Sequence, residues 1–211
     1  MTDPVYVELE TTSNFSFLRG ASHPEELVAR AAELGHGAAV IADRNTLAGI
    51  VRGHIAARHL GIAYHPGCRL VPEDGPEMLC FPRNRAAYGR LSQLLTLGNQ
   101  RAPKGECWFG LDDVFGPVFR AGRDQVLIVV PPEPFKSVEE EKAFVEILAK
   151  IRRRCEDSIP IYLAARYLYS GDDAKRLKKL ANFAEAVGTP LVATNDVHAH
   201  DPLRRALQDV L

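Results

Sequence analysis

Glu8 and Glu10 stand two apart in an extended run, so period-two alternation turns both carboxylates to one side. Such a pair can act as general acid and base if a pocket shifts the pKa values apart. Equally, it can be two salt-bridged acids at a sheet end. Thr12 and Arg19 follow in the next loop, Asp43-Arg44-Asn45 closes a second apolar run, and Gly67-Cys68-Arg69 closes a third. Near the C-terminus, Asp196-x-His198-x-His200 has alternate carboxylate and imidazole groups, a donor set suited to zinc or manganese. The competing reading has Asp196 and His198 hydrogen-bonding neighbouring loops and His200 simply exposed.

Other chemistries find no support. There is no G-x-x-x-x-G-K-[ST] phosphate loop, no G-x-G-x-x-G after a strand and no H-E-x-x-H helix, and no G-x-S-x-G nucleophile elbow. Cys68, Cys80, Cys107 and Cys155 are scattered with no C-x-x-C pair, which fits plain thiols. Phe15, Phe17, Trp108 and Phe109 lack the spaced stacking pattern of a single-strand binder.

The elements that must position these residues alternate between short apolar runs and helix-period segments, an α/β pattern built on a parallel sheet or barrel. Strands are expected at 6–10, 39–42, 62–64, 79–81, 126–130, 160–164 and 190–194, about seven in all. Ser22-His23-Pro24-Glu25 has the S-x-x-E form of a capping box. The helix it opens buries Leu27, Val28, Ala31 and Leu34 and stops at Gly35. Further helices are expected at 47–60, 85–97, 138–154 and 172–187. In the last, Leu177, Leu180, Ala181 and Ala184 form the buried stripe, while Lys175, Lys178 and Lys179 face outward, read as a solvated face ahead of the alternative of a DNA contact. Residues 100–119, richer in Gly, Pro and charge, form an excursion from the alternation. In strands of this kind functional side chains gather at the C-terminal ends, where the residues named above lie.

Composition bounds the partners. The 211 residues carry 26 Lys and Arg against 27 Asp and Glu, a formal charge of -1, so this is not a free-standing basic nucleic-acid binder. At 46% hydrophobic and 25% charged it reads as an ordinary globular domain. No apolar run approaches the roughly 20 residues of a membrane-spanning helix, and the first residues lack the basic and apolar regions of a secretory signal. A cytoplasmic protein with no membrane partner is expected, and with no internal repeat the whole chain, 1–211, is kept as one domain.

Beyond single residues, longer stretches resemble a known family. YVELETTSNFSFLRG resembles the first motif of the PHP (polymerase and histidinol phosphatase) domain at the N-terminus of bacterial C-family DNA polymerases. IADRNTLAGIVRGHIAA is similar to its second motif, GCRLV to its third, FPRNRAAYGRLSQLLTLG to the polymerase subgroup's helix and PLVATNDVHAHDPLRRALQDVL to its final motif. GASHPEELV, DRNTLAG, RAAYGRL, LLTLG, KGECW and LQDVL most resemble the error-prone branch, associated with DNA replication, repair of DNA damage and translesion synthesis. The resemblance implies a distorted seven-stranded β/α (TIM-like) barrel. It also implies the N-terminal part of a longer, cytoplasmic nucleotidyltransferase, whose palm and thumb would be this domain's partners and whose contact with DNA would run through the parent protein.

Active members of the family hold two or three metals on His, Asp and Glu and hydrolyse phosphoesters; those that proofread do so as 3′ to 5′ exonucleases. At the family's H-x-H this chain has Glu8 and Glu10, and a further frequent His falls on Thr12. The acid before the glycine is Arg19, the ligand after Asp43 is Arg44, and the third motif's glutamate is Arg69. Only Asp196 and His198 keep ligand chemistry. Guanidinium has no lone pair to offer and repels a divalent cation, so the expectation is a degenerate cleft without cofactor or catalytic residue. In it arginines pair with Glu8, Glu10 and Asp196 where metals would sit. Two alternatives stand beside it. One is an active phosphoesterase holding Mn2+, Zn2+ or Mg2+ on Glu8, Glu10, Asp196, His198 and His200. The other is a phosphate-binding module built on Arg19, Arg44 and Arg69.

Overall fold

The computed structural model describes residues 6–116, 124–155 and 159–210. It is a mixed α/β fold that divides into two compact units, Met1–Arg69 with Thr194–Leu211 and Leu70–Ala193. The final positions of the expected excursion, 117–119, and residue 211 lie outside the described residues.

In the first unit, β1 (Ala38–Arg44) pairs in parallel with β2 (Ala63–Leu70), with Asp43 opposite Cys68 and Arg44 opposite Arg69. Two helices cover β1: α1 (Pro24–Glu33) packs Leu27 with Ile41, and α2 (Ile50–Leu60) adds Ile50 to that cluster and Ala57 to a second one with Val28 and Ala39. Burial of such aliphatic side chains contributes about 1.5–3 kcal/mol each. A 3-10 turn, Pro202–Arg204, leads into the short α7 (Arg205–Gln208).

Helix α1 does not begin as its sequence suggests. His23, not Ser22, is the capping residue: the Glu26 carboxylate accepts the His23 backbone N–H at 2.8 Å, and Pro24 occupies the first turn, where no donor is needed. Ser22 has been drawn elsewhere, its hydroxyl 2.8 Å from His200 Nδ1 and accepting the His200 backbone N–H at 3.0 Å. Of the expected apolar stripe, Leu27 and Val28 are buried, whereas Leu34 is exposed.

The expected strand at 6–10 is extended but carries no strand ladder. Its pairing reduces to one parallel bridge, Thr11 with Val197, flanked by backbone bonds from Ala42 to Thr11, Val197 to Glu10 and Thr12 to Val197. The reason is local. Backbone donors that would extend a ladder, those of Glu10 and Asn195, are taken by the Glu8 carboxylate. Six strands, not seven, are therefore present among the described residues.

In the second unit the order is β3 (Met78–Pro82), β4 (Gln125–Val129), β5 (Ile161–Arg166) and β6 (Leu191–Thr194). β3 runs antiparallel to β4, against the all-parallel expectation, while β4 and β5 are parallel. The segment before β3, residues 71–77, holds no helix and is shorter than the dozen residues a parallel crossover needs. α3 (Arg85–Arg101) starts on an Asn84 side-chain cap, and α4 (Leu111–Phe115) lies within the excursion. α5 (Val138–Cys155) buries Phe144, Leu148 and Ile151. α6 (Asp173–Val187) buries Leu180 and Ala184, but Ala181 is exposed. None of the helices is long and apolar enough to cross a membrane among the described residues.

Gly20 closes the loop that follows the extended N-terminal segment, and a Cβ there would fall 2.1 Å from the Ser13 carbonyl oxygen. A backbone atom cannot swing aside as a side chain can. Gly20→Ala is therefore expected to destabilise the first unit by about 1–3 kcal/mol, read as a lower urea midpoint at unchanged m-value.

Candidate functional site

The site residues gather in the first unit around one buried cation. Arg69, near the end of β2, is 1% exposed, and its Nη2 lies 2.8 Å from Glu10 Oε1 and 2.8 Å from Asp196 Oδ1. Glu10 is fully buried. Two carboxylates this close would repel strongly in a low-dielectric interior, and the guanidinium between them supplies the compensating charge and charge-assisted hydrogen bonds. Asp196 reaches it from a left-handed backbone turn (φ 51) just past β6, a conformation that Asp tolerates better than most residues.

His198 backs Asp196. Its Nε2 lies 3.0 Å from Asp196 Oδ1, off the line of a hydrogen bond, and its Nδ1 is 2.9 Å from Gln208 Nε2. Because the Gln208 amide nitrogen can only donate, the network assigns the lone pair of Nδ1 to that bond and the proton to Nε2. His200 is not directed at this cluster; it bonds Ser22 and lies 3.8 Å from Glu26, which Arg204 also engages at 2.7 Å.

Glu8 has a hydrogen-bond shell of its own. Oε1 accepts the Glu10 N–H at 2.7 Å and the Asn195 N–H at 3.3 Å, and Oε2 accepts the Tyr6 hydroxyl at 2.7 Å. Burial pushes its carboxyl above the ordinary range, the bonds only partly offsetting this, and the nearby Glu10 charge adds to the rise. Burial likewise raises the Tyr6 hydroxyl, with the Glu8 carboxylate reinforcing the shift. This is a structural carboxylate, both of whose oxygens are used to order backbone and ring.

Asp43, at the end of β1, works on the neighbouring loop. It accepts the Ser13 N–H at 2.8 Å, the Ser13 hydroxyl at 2.7 Å and the Ser16 hydroxyl at 2.7 Å, and Ser16 Oγ in turn accepts the Arg44 N–H at 2.9 Å. Burial raises its carboxyl, against the opposing pull of those bonds and of Arg69. The Arg44 side chain is exposed and enters no ion pair among the described residues; Arg19 is half-buried. Thr12, where the family resemblance places a histidine, is buried with its hydroxyl unbonded.

Of the three arginines, Arg69 joins Glu10 and Asp196, the Arg44 side chain is exposed, and Glu8 is served by Tyr6 and backbone donors. Tyr6, Ser13, Ser16 and Gln208 are the supporting residues that motif spacing does not mark, save that Tyr6 shares the period-two face of Glu8.

Comparison with known protein families matches residues 8–114 to the PHP domain. The chain belongs to the PHP domain family. This PHP chain is 45% identical, over its whole length, to an error-prone DNA polymerase of Bradyrhizobium sp., covering 18% of that protein. Its identity to an error-prone DNA polymerase of Caulobacter vibrioides is 44%, again over the whole chain and 19% of the relative. It therefore spans about a fifth of the length of the curated relatives it matches. Two solved structures share the fold at 16% identity. One is an amidohydrolase from Chromobacterium violaceum with bound sulfate and no metal (TM-score 0.63, 92% of this chain, 87% of that one). The other is a candidate metal-dependent phosphoesterase from Bifidobacterium adolescentis (TM-score 0.62, 93% and 89%).

The metal cluster implied by the family resemblance does not fit this donor set. The Arg69 guanidinium already lies 2.8 Å from both Glu10 and Asp196, His198 Nδ1 faces the Gln208 amide, and both Glu8 oxygens accept hydrogen bonds from within the chain. Among the described residues no group of three or more His, Cys, Asp or Glu is arranged to hold a metal ion.

Two outcomes follow from this geometry. Arg69→Met leaves two buried carboxylates uncompensated and should cost about 3–5 kcal/mol of unfolding free energy. Adding Glu10→Gln and Asp196→Asn should recover a large part of that loss in the same denaturant titration. The raised Glu8 carboxyl has the opposite sign to a salt-bridged acid. Its proton is held more tightly in the folded state, so its favourable contribution is present below the unfolded value near 4.5 and is lost as pH rises through the folded value. Glu8→Gln should gain stability relative to the parent chain as pH climbs from about 4.5, measured as paired urea midpoints across pH.

Proposed function

We propose that this chain is the PHP region at the N-terminus of an error-prone DNA polymerase and serves there as a scaffold that does not hydrolyse phosphoesters. The single observation carrying the non-hydrolytic reading is the Arg69 guanidinium at 2.8 Å from both Glu10 and Asp196. Support for the polymerase context comes from relatives named error-prone DNA polymerase that match the chain from end to end. On this reading the complete 1–211 region is one PHP-type domain, a distorted barrel of the β/α kind. The palm and thumb of the same polymerase are its partners, and nucleotidyl transfer takes place on palm carboxylates outside it. Its setting is cytoplasmic DNA replication and repair, including synthesis across lesions, with no membrane contact.

The scaffold role has a physical logic. A metal cluster makes local stability depend on metal supply and pH. A guanidinium supplied by β2 keeps its charge at any relevant pH and cannot dissociate. The phosphate-binding alternative loses its centre, because Arg69 is buried and engaged by two acids while the Arg44 side chain faces solvent.

The test is hydrolysis of an aryl phosphate and of a labelled DNA 3′ end, with Mn2+, Zn2+ or Mg2+ added, alongside metal analysis of the purified chain. Turnover at the uncatalysed background and a melting temperature unmoved by chelator are expected. Stoichiometric metal together with turnover abolished by His198→Ala would overturn the scaffold reading and restore the phosphoesterase.

A further inference from the structure

The loop between β5 and α6 is pinned from below and bare on top. Arg176, in the first turn of α6, donates through Nη2 to the Arg166 carbonyl at 2.8 Å and pairs with Asp173, while its Nη1 pairs with Glu133. Asp173 also accepts the Leu168 N–H at 2.9 Å, and the Ser170 hydroxyl donates to Asp172 at 2.8 Å. The turn is therefore tied at Arg166, Leu168 and Asp173. Above these ties Tyr167 is 50% exposed and Tyr169 89% exposed, their rings edge to face at 5.0 Å.

Tyr169 adopts φ 57. A bulky aromatic residue in the left-handed region is strained, and such strain gathers at ligand clamps and other functional sites. Its ring stands largely in solvent, edge to face with Tyr167. A loop whose backbone is tied at these points loses less freedom on binding than an untied one.

The charge on the helix that follows selects the partner. Lys175 and Lys178, three apart on α6, are exposed and enter no ion pair among the described residues. Asp173 is neutralised by Arg176, and Lys179 is paired with Glu141, leaving Asp172 as the acid of the loop not engaged by a cation. Exposed aromatic rings in the loop, followed by exposed lysines in the first two turns of the helix it leads into, complement a polyanion with unstacked bases. An apolar protein face would use the rings and gain nothing from the lysines, and a duplex hides its base faces.

We propose that residues 167–171, with Lys175 and Lys178, form a stacking platform for single-stranded nucleic acid. A base lies on the exposed Tyr169 ring, and the lysines contact flanking phosphates. The platform goes beyond the scaffold reading and stands without it; its failure would leave the Arg69 cluster and the hydrolysis result untouched.

The probe is a fluorescein-labelled oligo-dT titrated with the whole 211-residue chain, followed by anisotropy at several salt concentrations. Binding to the single strand and weaker binding to a duplex of equal length are expected. Tyr169→Ala should weaken binding about tenfold, the scale of one base–aromatic stack, and Tyr169→Phe should retain it. Lys175→Gln combined with Lys178→Gln should lower the slope of log K against log salt by roughly 1.4, about 0.7 per phosphate contact. Far-UV circular dichroism confirms that each variant is folded, and a photoreactive dT should crosslink at Tyr167 or Tyr169. Undiminished affinity in folded Tyr169→Ala, an unchanged salt slope in the lysine variant, or no oligonucleotide binding by the parent chain would each overturn the proposal. The last result would hand the loop to a protein partner.

Discussion

A guanidinium between two carboxylates is the constraint on which the first unit turns. Arg69 comes from β2, Glu10 from the extended N-terminal segment and Asp196 from the turn after β6, so three stretches distant in sequence meet at one buried charge. Desolvating an arginine is expensive, and the interior accepts it only because both acids are within hydrogen-bonding distance. The same geometry decides what the site can do. A permanent cation has no lone pair to give, and its charge between Glu10 and Asp196 opposes a divalent ion there.

Around that charge, polar side chains do work that backbone ladders do elsewhere. Glu8 accepts two main-chain N–H groups and the Tyr6 hydroxyl, which keeps residues 6–10 extended without making them a strand. Asp43 gathers Ser13 and Ser16 and so holds the turn that ends at Gly20. Burial raises both carboxyls, so each favours the folded state more at low pH than at neutral pH. The price of this arrangement is tolerance: a buried polar shell leaves little room for substitution, because each removed partner strands a desolvated group.

The second unit builds the same device for another purpose. Arg176 links Glu133, Asp173 and the end of β5, and the order it imposes falls on a surface loop. Rigid ends allow Tyr169 to remain in a backbone region that a free loop would leave. In both units an arginine bridges two acids, Glu10 and Asp196 in the first and Glu133 and Asp173 in the second.

Apolar runs such as 39–42 and 126–130, bounded by turn residues, were enough to locate strands, because burial of both faces leaves an uninterrupted hydrophobic record. Family motifs running from Tyr6 to the C-terminus identified the PHP domain, and the residue types at Arg44 and Arg69 already spoke against a metal cluster. Contacts across long separations were not legible. Nothing in SHPE said that Ser22 would abandon the helix for His200, 178 positions away, or that Glu26 would cap His23 instead. Nor did three arginines in similar motifs reveal that Arg69 reaches both Glu10 and Asp196 while the Arg44 side chain turns outward. The tyrosines of the β5–α6 loop carried no signal at all, since exposure and a left-handed φ are properties of a closed turn. The order of residues thus determined the family, the apolar strands and the chemical poverty of the ligand positions, because these depend on side-chain type and local period. Tertiary structure alone decided which charges meet and which face solvent, because a hydrogen bond is set by distances of a few tenths of an ångström between segments that the chain brings together only on folding.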